Sequence, residues 1–222
     1  MKKHFTLLRY FLYIGLHWNW RIALILIREE IRGEGKYHIQ TTGADELEHL
    51  RNRGISTDHP TIYMPASYSL LEEAFAFIPE KERTHLYDIG CGKGRALCVA
   101  AHFGFQAVSG IDLSEQLLQT ARFNLTATKQ QYQQLHWELI TGDAAIFPLP
   151  DTVSAVLLFN PFDDTIMKKV HQSILQSLER NPRHLYIVYI NPLYDPVFTE
   201  RPFRKVYYSC RHTYLELAIY SN

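Results

Sequence analysis

A glycine-rich segment offers the clearest chemistry in the sequence. It reads LYDIGCGKGR and places Asp88 two residues before the first of three glycines, Gly90, Gly92 and Gly94, with Arg95 directly after them. Glycine lets the backbone approach a ligand closely, and the N-terminus of a following helix presents free N–H groups to an anion. Arg95 stands where the dinucleotide fingerprint GxGxxG has its third glycine, and its bulk would crowd a pyrophosphate. The pattern therefore favours a ligand with a single carboxylate.

Two more acidic residues follow the next two predicted strands. Asp112 closes GID, 22 positions after Gly90, where a carboxylate can accept hydrogen bonds from ribose hydroxyls. Asp143 in TGDAAIF can accept from an exocyclic adenine amine, and the backbone N–H of Ala144 can reach a ring nitrogen. Each acid alone could simply cap a helix or a turn. Their place at successive strand ends beside the glycine loop predicts a nucleoside-containing ligand.

These residues require a sheet whose strands end at one edge. After a helix over residues 67–79, apolar strand patterns alternate with helical ones, including a helix over residues 164–180, and the apolar strands indicate helices on both sheet faces. The runs FRKVYYSC and TYLELAIY are separated only by Arg211 and His212, too few residues for a helical crossover, so they predict an antiparallel hairpin. The predicted fold class is α/β: a doubly wound, mostly parallel seven-stranded sheet ending in this hairpin.

Four segments in this order and spacing carry a resemblance to a known family. LYDIGCGKGRAL, VSGIDLS, TGDAAIF and LLFNPF resemble the class I S-adenosylmethionine-dependent methyltransferases over about residues 60–220, and above all a bacterial subset with a DxGxGKGR loop and an NPF motif. The resemblance implies S-adenosyl-L-methionine as cofactor and S-adenosyl-L-homocysteine as product. It also implies the binding residues: for the methionine part Asp88, Gly90, Cys91 and Gly92, for the ribose Asp112, and for the adenine Asp143, Ala144 and Leu113.

The motif after the fourth strand is the candidate for catalysis. Asn160-Pro161-Phe162 resembles the NPPY and NPPF motifs of methyltransferases that act on planar or amine nitrogens, with one proline missing. The resemblance implies that Asn160 and the following carbonyl accept hydrogens from the target nitrogen while Phe162 packs against the target. Methyl transfer is an in-line displacement, which needs alignment and no covalent residue. The alternative is a strand-to-helix turn in which Asp163 or Asp164 caps the next helix.

Four further positions are expected near the same edge. Ser67 or Tyr68 is expected to touch the methionine end of the cofactor, and Tyr63 to line the acceptor entrance. The alternative for this segment is a hydrophobic staple, with Ser67 as the N-cap of the helix. Asn191, after the fifth strand, is another candidate for the entrance, although a plain strand-exit turn is the favoured interpretation there.

The sequence divides into two parts near His59. Residues 1–58 are predicted to form an N-terminal helical extension, and residues 59–222 the S-adenosylmethionine-dependent methyltransferase domain. Gly33 and Gly35 are predicted to end the helical part of the extension. The polar run ADELEHLR that follows predicts a short helix.

Residues 5–27 form the most apolar stretch of the chain. Arg9 and Arg21 would each cost about 2.5–3.5 kcal/mol inside a bilayer, which argues against a spanning helix. We expect one or two helices that pack on the domain or on a second copy. The alternative is a helix that lies in a membrane interface, with its tryptophans at the headgroups.

Charge and cysteine content restrict the partners. The chain has 23 basic and 23 acidic side chains, but residues 1–36 carry a net +4 and the remainder therefore −4. An acidic catalytic part disfavours a nucleic-acid substrate. Three cysteines without a CxxC pattern favour a reducing compartment, and the scattered histidines predict no metal site. The predicted location is cytoplasmic, or membrane-associated through the N-terminal segment.

These observations predict an S-adenosylmethionine-dependent methyltransferase that methylates a nitrogen of a protein side chain or of a small amine. The alternatives are a nucleic-acid base methyltransferase and a cofactor-binding or scaffold protein without turnover. The glycine spacing and the terminal hairpin disfavour a nicotinamide-dependent oxidoreductase. A protein or small-molecule acceptor is preferred to nucleic acid, and residues 5–27 are the predicted contact for a membrane surface or a homodimer.

Overall fold

The computed structural model describes the backbone of residues 2–17, 19–43, 45–46, 62–63, 65–159, 164–199, 202–211 and 215–222. The motif Asn160-Pro161-Phe162 and the predicted boundary at His59 lie outside these residues. For Tyr63 only the backbone is described, so its predicted place at the entrance stays a prediction.

Two helices and two short strands precede the main sheet. Helix α1 spans Lys2–His17 and helix α2 spans Trp20–Tyr37, and the short strands β1 (Asp45–Glu46) and β2 (Ile62–Tyr63) pair antiparallel. The predicted short helix over ADELEHLR is therefore wrong at Asp45 and Glu46. The hydrogen bonds that hold these two residues extended come from a strand 16 or more positions further along the chain, which a local sequence pattern does not contain.

Strands and helices then alternate. Their bounds are α3 (Tyr68–Phe77), β3 (His85–Ile89), α4 (Arg95–His102), β4 (Ala107–Asp112), α5 (Glu115–Gln131), β5 (His136–Thr141), β6 (Ala155–Phe159), α6 (Asp164–Arg180), β7 (Tyr186–Ile190), β8 (Arg204–Arg211) and β9 (Leu215–Ser221). The seven strands β3 to β9 form one sheet in the order β5-β4-β3-β6-β7-β9-β8. Strands β3 to β7 are parallel, whereas β9 runs antiparallel to β7 and β8. The predicted fold class is confirmed.

Both faces of the sheet are covered. Successive strand residues leave on opposite sides, so Leu86 and Leu157 lie in the layer beneath α3, α4 and α5. Tyr87 and Val156, the neighbours of these residues, lie in the layer beneath α6. The sheet is therefore buried on both faces, as the apolar strand runs predict.

Helix α2 takes part in two cores. Near its start, Ala23 and Leu26 pack against Tyr10 and Ile14 of α1 in a small cluster of their own. At its end, Tyr37 joins the large layer above the sheet. The N-terminal helices are thus joined to the sheet domain through the second half of α2.

The predicted end of the helix at Gly33 and Gly35 is wrong, because α2 continues to Tyr37. Gly33 is buried against the ring of Tyr68, and a Cβ at this position would lie 2.2 Å from a ring carbon. The residue is small because two helices meet there, and the close packing offsets the low helix propensity of glycine.

Candidate cofactor site

The site is built at the edge where the parallel strands end. The register pairs Ile89 of β3 with Ile111 of β4, and Asp112 with Thr141 of β5, so the loops after these strands are neighbours. Strand β6 also ends at this edge beside β3, and the strand order reverses between the two. Open α/β sheets bind ligands at such a reversal.

The glycine loop turns sharply between β3 and α4. Its three glycines all adopt left-handed conformations, with φ of 81° at Gly90, 51° at Gly92 and 76° at Gly94. The N–H of Gly90 donates to the Ile111 carbonyl at 2.9 Å, which fixes the start of the loop to β4. Residues with a Cβ are strained at these angles, so the sequence keeps a bare backbone at the mouth of the site.

Asp112 links the loop to the next helix. Its Oδ2 accepts the N–H of Gly92 at 2.8 Å, and its Oδ1 accepts the N–H of Ser114 at 2.8 Å. Burial raises the pKa of this carboxyl, and the two backbone bonds oppose the rise. A carboxylate offers about four acceptor positions, so lone pairs remain for the ribose hydroxyls that the sequence predicts.

Asp88 lies one residue before the end of β3 and is 4% exposed. Within the described residues no group donates a hydrogen bond to its carboxyl. Burial, and after it the nearby charge of Asp112, raises its pKa to about 8. A cationic group placed beside Asp88 would favour the charged form again. A buried acid of this kind at the mouth of a loop is typical of a ligand site.

Gly110 supports the loop from below. A Cβ on this residue of β4 would lie 2.6 Å from the Sγ of Cys91 and 2.9 Å from Leu97. Cys91 is therefore packed under the loop, and burial raises the pKa of its thiol well above the usual value. Its predicted part in cofactor binding is left to its backbone. Sequence analysis missed Gly110, although a glycine inside a strand signals close approach of another chain segment.

Arg95, the first residue of α4, is committed to α2. Its guanidinium forms a bidentate ion pair with Glu30 at 2.7 and 2.5 Å and donates to the Thr41 hydroxyl at 2.8 Å. It also donates to the Ala66 carbonyl at 2.9 Å and lies 4.1 Å from the centre of the Tyr68 ring. Arg95 and Glu30 are both 3% exposed. The expectation that Arg95 would crowd a pyrophosphate is therefore wrong, because its side chain does not border the mouth of the loop.

The same cluster covers Ser67 and Tyr68. The Tyr68 ring is fully buried, is stacked on Tyr37 at a centroid distance of 5.7 Å, and shares a 3.1 Å hydrogen bond with Thr41. The Ser67 hydroxyl donates to Glu29 at 2.5 Å and makes no capping bond to α3. The prediction that these side chains touch the methionine end is wrong, and so is the side-chain cap. A charged acceptor on α2 competes better for the hydroxyl than a backbone N–H.

The residues predicted to hold adenine are arranged as a turn after β5. Asp143 is exposed, and its Oδ1 accepts the N–H of Ala145 at 2.8 Å. Ala144 is buried beside Ile111, and Leu113 is half-buried at the end of β4. The alternative role of Asp143 in a turn is thus present, and its second oxygen keeps an acceptor for a ligand. Their adenine contacts stay predictions.

Asn191 forms a strand-exit turn. It has a left-handed φ of 49°, which asparagine tolerates better than most residues. Its N–H donates to the Glu216 carbonyl at 2.8 Å, and its Oδ1 accepts the Glu216 N–H at 2.9 Å. These two bonds fasten the end of β7 to β9, so the side-chain oxygen is occupied and the favoured interpretation describes the residue.

Asn124 is a positioning residue that sequence analysis missed. It is 1% exposed in α5, and its Nδ2 donates to the Lys93 carbonyl of the glycine loop at 3.0 Å. The same side chain exchanges two hydrogen bonds with the backbone of Gln40, after α2. Its signal was a polar residue on the apolar stripe of a helix, since buried polar groups are there to be hydrogen-bonded. Glu30 gives the same signal in α2.

Comparison with known proteins adds a domain match. Residues 86–181 match the family model described as a methyltransferase domain. A search of curated proteins finds no match. The part of the chain that the structure describes contains no group of side chains suited to hold a metal ion.

Several solved structures share the fold. A chain titled StiE O-MT has a TM-score of 0.54 at 12% identity, covering 69% of this chain and 73% of its own. The putative methyltransferase yhhF from Escherichia coli has a TM-score of 0.54 at 12% identity, with coverages of 72% and 89%. A putative methyltransferase from Pseudomonas syringae has a TM-score of 0.53 at 16% identity, with coverages of 69% and 97%. The domain match and this shared fold support a methyltransferase.

Proposed function

We propose that the protein is an S-adenosyl-L-methionine-dependent methyltransferase acting on a nitrogen of a protein side chain or of a small amine. The observation that carries the proposal is the arrangement around the glycine loop. Asp88 is a buried acid without a hydrogen-bond donor in the described residues, and Asp112 keeps acceptor positions beside it. The methyltransferase domain match over residues 86–181 supports the same assignment.

The residues present fit this cofactor. The raised pKa of Asp88 suits a partner that carries an ammonium group, because the cation favours the ionised carboxylate. The left-handed glycines keep the loop free of side chains, and the start of α4 favours a carboxylate. Asp112 accepts from the ribose, and Asp143 with Ala144 serves the adenine. When bound, the cofactor supplies a methyl group on a positively charged sulfur.

The chain has to align a neutral nucleophile and exclude water. In this proposal Asn160 accepts hydrogen bonds from the target nitrogen, Pro161 shapes the turn, and Phe162 packs against the target. The support is positional, since this motif directly follows β6 at the edge that also carries the glycine loop. Tyr63 is proposed at the entrance.

The net charge favours a protein or small-molecule acceptor. Outside the first 36 residues the chain is net −4, and a polyanionic substrate would be repelled. S-adenosylmethionine therefore remains the ligand of the proposal, and nucleic acid is the acceptor class that it disfavours.

Calorimetry tests the cofactor. We expect micromolar binding of S-adenosylmethionine and of S-adenosylhomocysteine, and no binding of NADH. Binding of NADH in place of the two sulfur compounds would refute the assignment.

Labelled methyl transfer tests the acceptor. The purified protein is incubated with methyl-labelled cofactor and fractionated lysate, and the products are treated with protease, nuclease or ultrafiltration. We expect label in protein side chains as N-methyl amino acids, or in the low-mass amine fraction. Nuclease-sensitive label would overturn the acceptor class and keep the methyltransferase, whereas no transfer at all would support a protein without turnover.

A further inference from the structure

The N-terminal helices expose large apolar side chains. Leu8, Leu12 and Leu16 recur every four residues along α1, and Trp20, Leu24 and Ile31 share one face of α2. Each of these six side chains is between 43 and 73% exposed. Spacings of four and seven residues place each set on a single helix face. We call the six residues the hairpin face.

Trp20 joins the two stripes. Its ring centroid lies 5.5 Å from that of Phe11, and the ring also covers Gly15, where a Cβ would come within 2.2 Å of it. Phe11 and Gly15 are the neighbours of Leu12 and Leu16 in α1. The hairpin face is therefore continuous near the turn between the helices.

The charges around this face are not balanced. The acids of α2 turn inward: Glu29 accepts from Ser67, Glu30 pairs with Arg95, and Glu34 accepts from Thr42.

Of the basic residues of α2, Arg32 and Lys36 pair with Glu72 of α3. Arg21 and Arg28 are exposed, and neither is paired with an acid among the described residues. Arg21 and Arg28 follow Trp20 and lie beside Leu24 and Ile31 on the helix surface. The exposed surface of the hairpin is therefore apolar and cationic at once.

We propose that the hairpin face docks on the surface of an anionic lipid bilayer. Apolar side chains with tryptophan among them enter the headgroup boundary, and adjacent arginines bind lipid phosphates. In the described part of the chain no helix is long and apolar enough to cross a membrane, so the hairpin lies on the bilayer. This inference is independent of the proposed methyl transfer.

A second copy of the chain is the poorer occupant. A two-fold interface brings the same patch of both copies together. Arg21 and Arg28 would then face arginines near an apolar contact without acids to compensate, which is unfavourable. An anionic bilayer supplies the missing negative charge. The net −4 of the remaining chain favours an orientation with the hairpin toward the lipid and the rest away from it.

Vesicle flotation with the full-length protein tests the proposal. We expect binding to vesicles of phosphatidylcholine with about one third phosphatidylglycerol, weaker binding in high salt, and little binding to phosphatidylcholine alone. Arg21→Glu/Arg28→Glu should lower the partition coefficient about 30-fold or more, because each basic side chain near an anionic surface contributes about fivefold. Leu24→Ser should also weaken binding.

Matched controls lie on α5. Lys129 and Phe123 are an exposed basic and an exposed apolar residue outside the hairpin, so Lys129→Glu and Phe123→Ser should bind as the wild type does. Unchanged circular dichroism and cofactor binding show that each variant is folded. No binding to anionic vesicles, or equal losses in the controls, would overturn the proposal. A dimer that Leu24→Ser dissociates, seen in sedimentation without vesicle binding, would assign the face to a second copy.

Discussion

Replacement of Glu30 by glutamine leaves the guanidinium of Arg95 without its counter-charge. The change keeps the shape of the side chain but places an amide donor or a neutral oxygen where two carboxylate oxygens accept at 2.7 and 2.5 Å. Both partners are 3% exposed, so water does not compensate for the lost charge. The perturbation is local, because Thr41 and the Ala66 carbonyl still bind Arg95.

The expected loss is large for one substitution. Removal of one partner of a buried ion pair lowers the free energy of unfolding by about 3–5 kcal/mol. In a chain of this size each kcal/mol moves the melting temperature by about 2–4 °C, so Glu30→Gln should melt about 6–20 °C lower than the wild type. Cofactor binding should weaken as well, because Arg95 directly follows the glycine loop.

Thermal and denaturant unfolding, with calorimetry of cofactor binding, measure both effects. Lys168→Gln is the control, since it breaks an exposed pair on α6 and should change neither quantity measurably. The double variant Glu30→Met/Arg95→Met removes both charges and should be more stable than Glu30→Gln. A loss below about 1 kcal/mol in Glu30→Gln, or a double variant less stable than this single one, would refute the argument that an uncompensated charge causes the loss.

Three further substitutions test the site. The pKa of Asp88 is about 8 in the folded protein, so this acid destabilises the fold progressively as the pH rises from its ordinary pKa to about 8; Asp88→Asn should therefore melt higher than the wild type at pH 8.5, match it near pH 4, and still bind the cofactor more weakly. Equal melting at both pH values would contradict the pKa. Gly110→Ala should weaken cofactor binding and lower stability by about 1–3 kcal/mol, because its Cβ meets the loop; calorimetry and melting check both, and unchanged binding would count against a supporting role. Asp112→Ala should weaken cofactor binding strongly, whereas Asn160→Ala should keep binding and stop transfer; equal binding losses would refute the division of roles.

The sheet domain could be predicted because its patterns are local. Residues 164–180 form α6 with the bounds that the apolar stripe predicts. The two-residue separation of the last two β-rich runs predicts the antiparallel pairing of β8 and β9. The acids Asp88 and Asp112 lie beside the loop because strand ends in a parallel sheet share one edge. Periodicity and connection length carry this information without knowledge of distant partners.

The link between α2 and the glycine loop could not be predicted in this way. Arg95 and Glu30 are 65 positions apart, and nothing in either local sequence names the other. Tyr68 has the residue type and position of a cofactor contact, and only the packing of α2 shows that its ring is covered. Gly33 has the sequence signature of a helix end, and only the ring beside it gives the reason for its presence.

The 65-residue separation between Glu30 and Arg95 also has a consequence during synthesis. The two N-terminal helices leave the ribosome first, and at about 5–20 residues per second Glu30 waits about 3–13 s before Arg95 is made. During that interval the acids of α2 remain in water and the apolar side of Tyr37 is uncovered. The nascent hairpin is therefore an early, incompletely packed element, and it is completed only when the first strand and glycine loop of the sheet have emerged.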